Sequence, residues 1–369
     1  MSSILFVTWN GGGNVPPTTA IAQELVDRGH TVRFLGHSSQ EQALTDAGFD
    51  VAPSRHTHRF DSAYDYTPLR MLGVLADGGM GRDLLDAVAA EPTDLVVVDC
   101  LMFGALDAAR RAGLRYAVLE HMYDAAYRTG MLRGPMGLNL RLRRLAPQRA
   151  REEAALRLLM TLPELDPATG RNLRQVGPLA SWSPRVGSEE PTIVISLSTF
   201  GYRDMTGVLQ RLVDATEGLD ARVLVSTGPV IDPGTIRARS QVEVHRWLPH
   251  SEVLPRASVL ITHGGHGSAM ASLAHDVPLL VVPLDGNSDH RTVACSVSDA
   301  GAARVVARDA STTEVRDALA VLLADGSYRT AAARLGAAIR ATDAVGDGAT
   351  ALEALSSGAA APDPPAARP

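Results

Sequence analysis

Short apolar segments recur along this chain, separated by longer amphipathic stretches, and this alternation constrains the fold more than any other feature of the sequence. Such alternation is typical of repeated strand–helix units in which consecutive strands run parallel. Several apolar segments lack a polar face, as expected for strands that helices cover on both sides of a sheet. The sequence therefore predicts an α/β protein built on doubly wound parallel sheets.

Nine segments fit strands of this kind. In the first half of the chain they are Ile4–Thr8, Thr31–Leu35, Leu95–Asp99 and Arg115–Leu119. In the second half they are Thr192–Leu197, Arg222–Ser226, Val242–Arg246, Val259–Thr262 and Leu279–Pro283. The chain of 369 residues is long enough for two domains. We predict a first domain at residues 1–178, a Pro-, Gly- and Ser-rich linker at 179–191, a second domain at 192–345, and a terminal helix with a disordered tail at 346–369.

Composition excludes several functional classes. The net charge of −6 argues against a nucleic-acid-binding protein, which needs a basic surface. No stretch approaches the roughly 18 apolar residues of a membrane span, and the N-terminus lacks the features of a signal peptide. Cys100 and Cys295 lie far apart and suit reduced thiols rather than a disulfide framework. We therefore expect a cytoplasmic protein without a membrane span.

The most informative segment for function runs from His263 to Ser268. An apolar strand ends at Thr262, three glycines follow, and Ser268 is expected to open a helix. Glycines allow close approach of a ligand to the backbone, and a helix start presents free N–H groups with a positive dipole end. This arrangement predicts an anion site, for which a diphosphate is the obvious ligand. A tight turn with histidines as ordinary caps would give the same pattern.

The surrounding motifs resemble those of one family. In order and spacing, Trp247-Leu248-Pro249-His250, Thr262–Ser268 and Val277–Pro283 are similar to the donor-binding signature of natural-product glycosyltransferases that use nucleotide sugars and have the GT-B fold. The resemblance implies two facing Rossmann-like domains with an interdomain cleft, the first binding the acceptor and the second the nucleotide sugar. It also implies inverting, metal-independent transfer of a hexose or deoxyhexose from a TDP- or UDP-sugar to a small acceptor in antibiotic or secondary-metabolite biosynthesis, with no further cofactor.

The resemblance assigns roles to matching residues of the second domain. Trp247 would stack on the nucleobase and the Leu248 backbone would read the base edge, although an isolated tryptophan also fits a core position. The residues expected around the diphosphate are His263, Gly264, Gly265, Gly267 and Ser268 on one side and Ser198, Thr199 and Gly228 on the other.

An Asp-Gln pair of the family binds the hydroxyl groups of the donor sugar. Counting back from Gly301 assigns this position to Asp289-His290, whereas gapless counting after Pro283 selects Asn287-Ser288. We prefer Asp289-His290. Because histidine replaces glutamine there, an unusual donor sugar is expected.

The acceptor side lacks the family's base. Inverting transfer to a hydroxyl usually needs a general base. The family uses a histidine after the first strand, oriented by an aspartate from a later strand, and these positions are Asn14 and Asp99 in this chain. Because asparagine has no proton affinity near neutral pH, Asn14 cannot be the base. Our hypothesis is that Asp99 takes the proton while Asn14 positions the acceptor.

Two alternatives to Asp99 as the base stay open. A different side chain could take the proton, and the candidates on the acceptor side are His56, His58, His121 and Asp124. Alternatively, the acceptor is acidic enough, as a phenol or an activated carbon, to need little base. His56 and His58 offer two metal ligands at most, so we expect a solvent-facing loop there and no metal site.

Two functional classes are compatible with these sequence features. The intact donor segment favours an active glycosyltransferase, whereas the missing histidine at Asn14 would suit a non-catalytic helper protein that only binds the donor. A sugar-nucleotide epimerase fits the motifs less well. The expected partners are a nucleotide sugar and a small-molecule aglycone, with no nucleic acid, and a homodimer is left open.

Two further groups of side chains have alternative interpretations. The arginines between residues 133 and 151 predict a solvated helix face, or else a docking surface or lid. Tyr64, Tyr66, Tyr123 and Tyr127 flank loops expected to open toward the cleft, where they would suit a flat aglycone or pack on the surface.

Overall fold

The computed structural model describes residues 1–187, 190–286 and 288–358 and contains two parallel β-sheets. The strands of the first sheet are β1 (Ser3–Val7), β2 (Thr31–Leu35), β3 (Asp50–Val51), β4 (Leu95–Asp99), β5 (Tyr116–Glu120), β6 (Leu156–Leu159) and β7 (Leu173–Gln175). They lie in the order β3-β2-β1-β4-β5-β6-β7. The buried strands β1, β4 and β5 occupy its centre, as their apolar sequences require.

Helices cover both faces of this sheet. They are α1 (Val15–Asp27), α2 (Glu41–Asp46), α3 (Pro68–Leu75), α4 (Gly78–Ala90), α5 (Phe103–Arg111), α6 (Asp124–Ala126), α7 (Gly134–Leu142) and α8 (Pro147–Glu153). The single turn α6 continues directly into a π-helical segment at Tyr127–Met131.

The second sheet has the order β10-β9-β8-β11-β12-β13. Its strands are β8 (Thr192–Ser196), β9 (Arg222–Ser226), β10 (Val242–His245), β11 (Val259–Thr262), β12 (Leu279–Val281) and β13 (Ala303–Val305). The helices of this half are α9 (Met205–Ala215), α10 (His250–Val253), α11 (His266–Ala274), α12 (His290–Asp299), α13 (Thr312–Ala324), α14 (Gly326–Arg340) and α15 (Ala344–Ser356). Among the described helices, none has the length and apolar character needed to cross a bilayer.

All nine predicted strands are present, and the predicted fold class is confirmed. Four have the predicted bounds, and the ends of the others differ by one or two residues. The strands β3, β6, β7 and β13 were missed by the sequence analysis. They have two to four residues, and three of them carry an arginine within the short apolar run: β6 (LRLL), β7 (LRQ) and β13 (ARV).

The terminal helix α15 returns to the first domain. Ala349 and Leu352 share a buried cluster with Ile21 of α1. Arg28 Nη1 donates to Thr350 Oγ1 at 2.8 Å, which fixes the end of α1 to α15. The predicted terminal helix therefore comes after the second domain in sequence but packs into the core of the first domain. Residues 359–369, for which disorder is expected, lie outside the described residues.

The chain crosses between the domains twice, and the two crossings touch. The first passes from β7 to β8 and the second from α14 to α15. Gly177 in the first crossing has φ of +88°, and a Cβ there would lie 2.6 Å from the Cβ of Thr342 in the second. Position 177 therefore requires glycine, both for its backbone conformation and for this close contact.

Candidate active site

Three polar side chains of the first domain meet at the carboxyl edge of its sheet. Asn14 follows β1, Asp99 ends β4, and His121 follows β5. Because these strands are consecutive neighbours in the sheet, their carboxyl ends lie side by side. The structure thus brings together the predicted pair, Asn14 and Asp99, and one of the four alternative candidates, His121.

Asn14 is buried and holds Asp99. It is 1% exposed, and its Nδ2 donates to Asp99 Oδ2 at 2.9 Å. The same amide nitrogen contacts the carbonyl oxygen of Trp9 at 3.0 Å and Thr8 Oγ1 at 3.1 Å. The asparagine therefore lies within the protein beside the carboxylate instead of on the surface of the cleft.

Asp99 is also buried, and both its carboxylate oxygens are occupied. Oδ1 accepts a hydrogen bond from the Leu101 amide at 2.9 Å, and Oδ2 lies 3.1 Å from His121 Nε2. Burial opposes a charge on His121, but the attraction of the Asp99 carboxylate outweighs it and raises the pKa of this imidazole well above its usual value. Asp99 and His121 form a hydrogen-bonded carboxylate–imidazole pair.

Cys100 completes this cluster. Within the described part of the chain, ligand atoms of Asp99, Cys100 and His121 fall within 4.8 Å of one another, a spacing that a metal ion could bridge. Burial raises the pKa of the Cys100 thiol, however, and metal binding requires the thiolate. Because Asp99 and His121 already pair with each other, we interpret the group as a protonated thiol beside a hydrogen-bonded pair.

The glycine-rich turn after β11 has the geometry of an anion site. Gly264 has φ of +91°, and a Cβ there would lie 2.8 Å from the carbonyl oxygen of His290. Helix α11 begins at His266, with Gly265 as its N-cap, so the predicted start at Ser268 is two residues late. The helix can start earlier because a glycine N-cap needs no side chain. The amides of its first turn have no acceptor within the helix and can bind an anion.

His263 lies against this turn. A Cβ on Gly265 would be 2.6 Å from His263 Nε2, which places the ring nitrogen next to the N-cap of α11. The ring packs on that of His290, with centroids 4.5 Å apart. Burial, reinforced by His290, lowers the pKa of His263 well below its usual value. His263 is therefore uncharged near neutral pH and can offer a phosphate a hydrogen bond but not a full charge.

Asp289 is the N-cap of α12 and His290 is its first residue. Burial raises the pKa of Asp289 to about 6 and lowers that of His290 to about 4. Asp289 also interacts electrostatically with His121, so its carboxyl group lies near the carboxylate–imidazole pair of the first domain. In the alternative pair, Asn287 lies outside the described residues, and Ser288 is partly buried.

The loops after β8 and β9, which carry the other residues expected around the diphosphate, lie against each other. Gly228, with φ of +70°, lies next to the carbonyl oxygen of Ser198. The neighbouring Thr199 reaches the first domain, because a Cβ on Gly12 would lie 2.8 Å from Thr199 Oγ1. The glycine cluster after β1 therefore permits close approach of the two domains at this point.

Trp247 follows the edge strand β10 and is 64% exposed. The alternative interpretation of this residue as a core tryptophan is therefore wrong. Leu248 packs partly against the hydrophobic core and anchors the loop. This arrangement leaves a flat aromatic surface free for a ligand at the same edge of the sheet as the anion site.

Aromatic side chains from both domains bridge the cleft. The ring of Tyr66 packs on that of Tyr202 at a centroid distance of 4.9 Å, and its hydroxyl donates to Asp285 Oδ2 at 3.2 Å. Trp9 lies 6.2 Å from Phe200. Of these residues only Tyr66 was a sequence candidate. The others carry no motif signal, because their proximity arises only when the two domains face each other.

His266 makes a second contact across the cleft. Its Nδ1 lies 3.1 Å from the carbonyl oxygen of His121, and its ring packs on Tyr123 at 5.4 Å. His266 occupies a variable position of the glycine-rich motif, so the motif does not select it. The contact ties the loop after β5 to the first turn of α11. Tyr123 is buried at this junction, whereas Tyr64 is largely exposed.

Two of the acceptor-side candidates hold a loop of the first domain. His58 is largely exposed and its Nδ1 lies 3.0 Å from Asp77 Oδ2. The backbone amide of His56 donates to Asp83, and its ring lies 3.5 Å from Asp86. These contacts do not join the cluster around Asp99, so the expectation of His56 or His58 as its substitute base is not supported.

Asp124 is buried in an ionic network instead of lining the cleft. Its Oδ1 accepts hydrogen bonds from Arg151 and Arg157, each at 2.7 Å. Both arginines also bind Glu120, and the guanidinium of Arg151 lies 3.8 Å above the ring of Tyr127. Asp124 is therefore not available as a base. The expected solvated arginine face is wrong for Arg151, which is 1% exposed, and Tyr127 is buried with it.

Known proteins resemble this chain in sequence. Residues 210–355 match the model of the erythromycin biosynthesis protein CIII-like C-terminal domain. Along its length the chain is also similar to 4'-demethylrebeccamycin synthase of Lentzea aerocolonigenes, with 26% identity over 95% of this chain and 99% of that protein.

Solved structures share the fold of this chain. The glycotransferase of kitacinnamycin aligns with a TM-score of 0.79 and 22% identity over 96% of this chain and 99% of its own. The glycosyltransferase VinC, solved in complex with dTDP, aligns with a TM-score of 0.72 and 19% identity over 96% and 99%. These neighbours confirm the GT-B fold. In sequence, the chain is also similar to demethyllactenocin mycarosyltransferase of Streptomyces fradiae, with 24% identity over 77% of this chain and 71% of that protein. The relatives confirm the predicted homology to antibiotic glycosyltransferases and the predicted class of enzyme, a glycosyltransferase.

Proposed function

We propose that this chain is an inverting, metal-independent glycosyltransferase that moves a hexose or deoxyhexose from a TDP- or UDP-sugar to a small natural-product acceptor. The observation that carries the proposal is the glycine-rich start of α11, which lies across the cleft from the Asp99–His121 pair. His266 links the two by its contact with the His121 carbonyl oxygen. The activity of the relatives supports the same class of reaction.

The donor would lie along the carboxyl edge of the second sheet. Trp247 would stack on its base, and the first-turn amides of α11 with His263 would bind the diphosphate. Asp289 and His290 would hold the sugar hydroxyls. The dTDP in the VinC complex supports thymidine as one of the two proposed carriers.

Metal independence and inversion are both part of the proposal. The dipole end of α11 and a hydrogen bond from His263 would stabilise the charge that develops on the departing diphosphate, without a cation or a further cofactor. An acceptor attacking from the first domain would approach the sugar from the side opposite the diphosphate, which inverts the anomeric centre. A cytoplasmic location and a homodimer remain predictions.

A direct experiment combines binding and product analysis. The protein is incubated with TDP- and UDP-sugars and a panel of phenolic and polyketide acceptors, with and without EDTA. We expect thermal stabilisation by the nucleotide and a hexose-sized mass gain on an acceptor, unchanged by EDTA. Stabilisation without any product would support the donor-binding helper protein that Asn14 makes conceivable. No stabilisation by any nucleotide would contradict the proposal.

Replacing Trp247 with alanine tests the base site. We expect the Kd for TDP to rise about tenfold, because stacking of a base on an aromatic ring contributes about 1–3 kcal/mol. Isothermal titration calorimetry with TDP measures this change. Trp182→Ala is the matched control, since Trp182 is also about half exposed but packs near Arg340. Equal affinities of the two variants would exclude Trp247 from the base site.

A further inference from the structure

We propose that His121 is the general base of the transfer, that Asp99 orients it, and that Asn14 holds Asp99 in place. The proposal rests on the proposed glycosyltransferase activity. It assigns the base to the loop after β5, one strand beyond Asp99, instead of to the loop after β1 where the resembling family has its histidine.

Accessibility separates His121 from the other two residues. The side chain of His121 is 12% exposed, whereas Asn14 and Asp99 are 1% and 2% exposed. Asp99 Oδ2 faces Asn14 and His121, and its Oδ1 accepts from the Leu101 amide. A carboxylate surrounded in this way can orient an imidazole, but it does not reach an acceptor hydroxyl directly.

Asn14 supports this division of roles. A neutral amide cannot accept the proton, but Asn14 Nδ2 donates a hydrogen bond to Asp99 Oδ2 and so fixes the position of the carboxylate. With a histidine at this position, the aspartate would be shared between two imidazoles. With asparagine there, Asp99 has a single imidazole partner, His121.

His121 also lies close to the expected donor site, as a general base must. His266 Nδ1 contacts the His121 carbonyl oxygen at 3.1 Å, and His266 is the first residue of α11. Asp289, expected to bind the donor sugar, interacts electrostatically with His121. The loop that carries His121 therefore faces the start of α11, where the sugar–phosphate bond is expected.

The reaction step balances without a further reactant. Nε2 of His121 faces Asp99, and the Cys100 thiol lies beside the ring. In the proposed step, Nδ1 accepts the proton of the acceptor hydroxyl. The hydroxyl oxygen forms a bond to the anomeric carbon, while the bond from that carbon to the phosphate oxygen breaks and its electron pair leaves with the nucleoside diphosphate. The resulting imidazolium is paired with Asp99 until its proton passes to solvent.

The charged and titratable groups around His121 define its pH dependence. The Asp99 carboxylate favours the imidazolium, burial opposes it, and Cys100, His266 and Asp289 also lie near the ring. Since the pKa of His121 is raised, the neutral base becomes available only as the pH rises through that value. We expect kcat/KM to increase with pH above the ordinary range of histidine titration.

The test uses the full chain, TDP-glucose or UDP-glucose as donor, and benzyl alcohol as acceptor, with donor hydrolysis as a second readout. An alcohol is used because its hydroxyl group is too weakly acidic to react without a base, whereas a phenol could do so. We expect His121→Asn to lower kcat about 10²–10⁴-fold while the Kd for TDP and the Tm stay unchanged. His245→Asn is the matched control, because His245 is half exposed on the edge strand β10 and should retain full activity. Full activity of His121→Asn would overturn the proposal.

Asp99→Asn tests the positioning role by a different readout. We expect the pKa of His121, followed by NMR of its ring resonances, to fall in this variant, and the acidic limb of the pH–rate profile to move to lower pH. An unchanged His121 titration would overturn the assignment of Asp99. If the wild-type protein binds no nucleotide and transfers no sugar, the proposed function fails, and the NMR titration still decides whether Asp99 controls His121.

Discussion

Replacing His263 with alanine is expected to lower kcat/KM about 10²–10³-fold, the loss typical of removing one hydrogen-bond donor from a site of developing negative charge. The ring nitrogen of His263 lies next to the N-cap of α11, where the departing diphosphate would gain charge. Because burial keeps this imidazole neutral, its contribution is a directed hydrogen bond. The measurement is steady-state kinetics with a saturating acceptor.

His263→Gln provides the comparison for this prediction. Glutamine retains an N–H donor on a side chain of similar reach, so we expect part of the lost activity to return. The lowered pKa of His263 also means that no titration of this residue should enter the pH–rate profile near neutral pH. Wild-type kinetics in His263→Ala would remove this residue from the donor site.

Substitution of Arg151 is expected to have the largest effect on stability. Replacing it with methionine retains much of the side-chain volume but leaves Glu120 and Asp124 as two buried carboxylates with Arg157 as their remaining shared partner. Breaking a buried ion pair on one side typically destabilises a protein by about 3–5 kcal/mol. We expect a loss of this size in the free energy of unfolding, measured by urea denaturation followed by circular dichroism.

The pH dependence of stability offers an independent check on Arg151. Burial opposes the charge on Glu120, but hydrogen bonds from Arg151 and Arg157 outweigh it and hold the pKa of Glu120 below its usual value. The stabilisation is therefore present above the unfolded-state pKa and is lost as the pH falls through the folded-state pKa. Arg151→Met should weaken this acid sensitivity. Arg149→Met is the control, since Arg149 is exposed, and an equal loss in both variants would contradict the prediction.

Much of the fold was predictable because its central strands are continuous apolar segments whose burial does not depend on distant partners. The donor side was predictable for a related reason. The turn from Thr262 to Ser268 is a local segment, so the glycine at position 264 indicates the backbone conformation that the structure shows. Short edge strands such as β3 have too few residues to give a pattern, and they form only because β2 lies beside them.

The acceptor side was less predictable because its contacts join separate parts of the chain. Asn14 and Asp99 could be selected from the resemblance, but the pairing of His121 with Asp99 depends on β4 and β5 being neighbours. Asp124, by contrast, follows the same strand and resembled His121 in sequence context. Only the packing of α8 beside β5 and β6 shows that Arg151 neutralises it.

The contact between Gly177 and Thr342 restricts how the two halves of the molecule can move. If the interdomain crossings were far apart, relative motion would have to bend or twist the chain at two independent places. Because the two crossings touch, both can act as a single hinge between the domains. We expect opening and closing to be a rotation about this point, so that each closure returns His121 to the same position opposite α11.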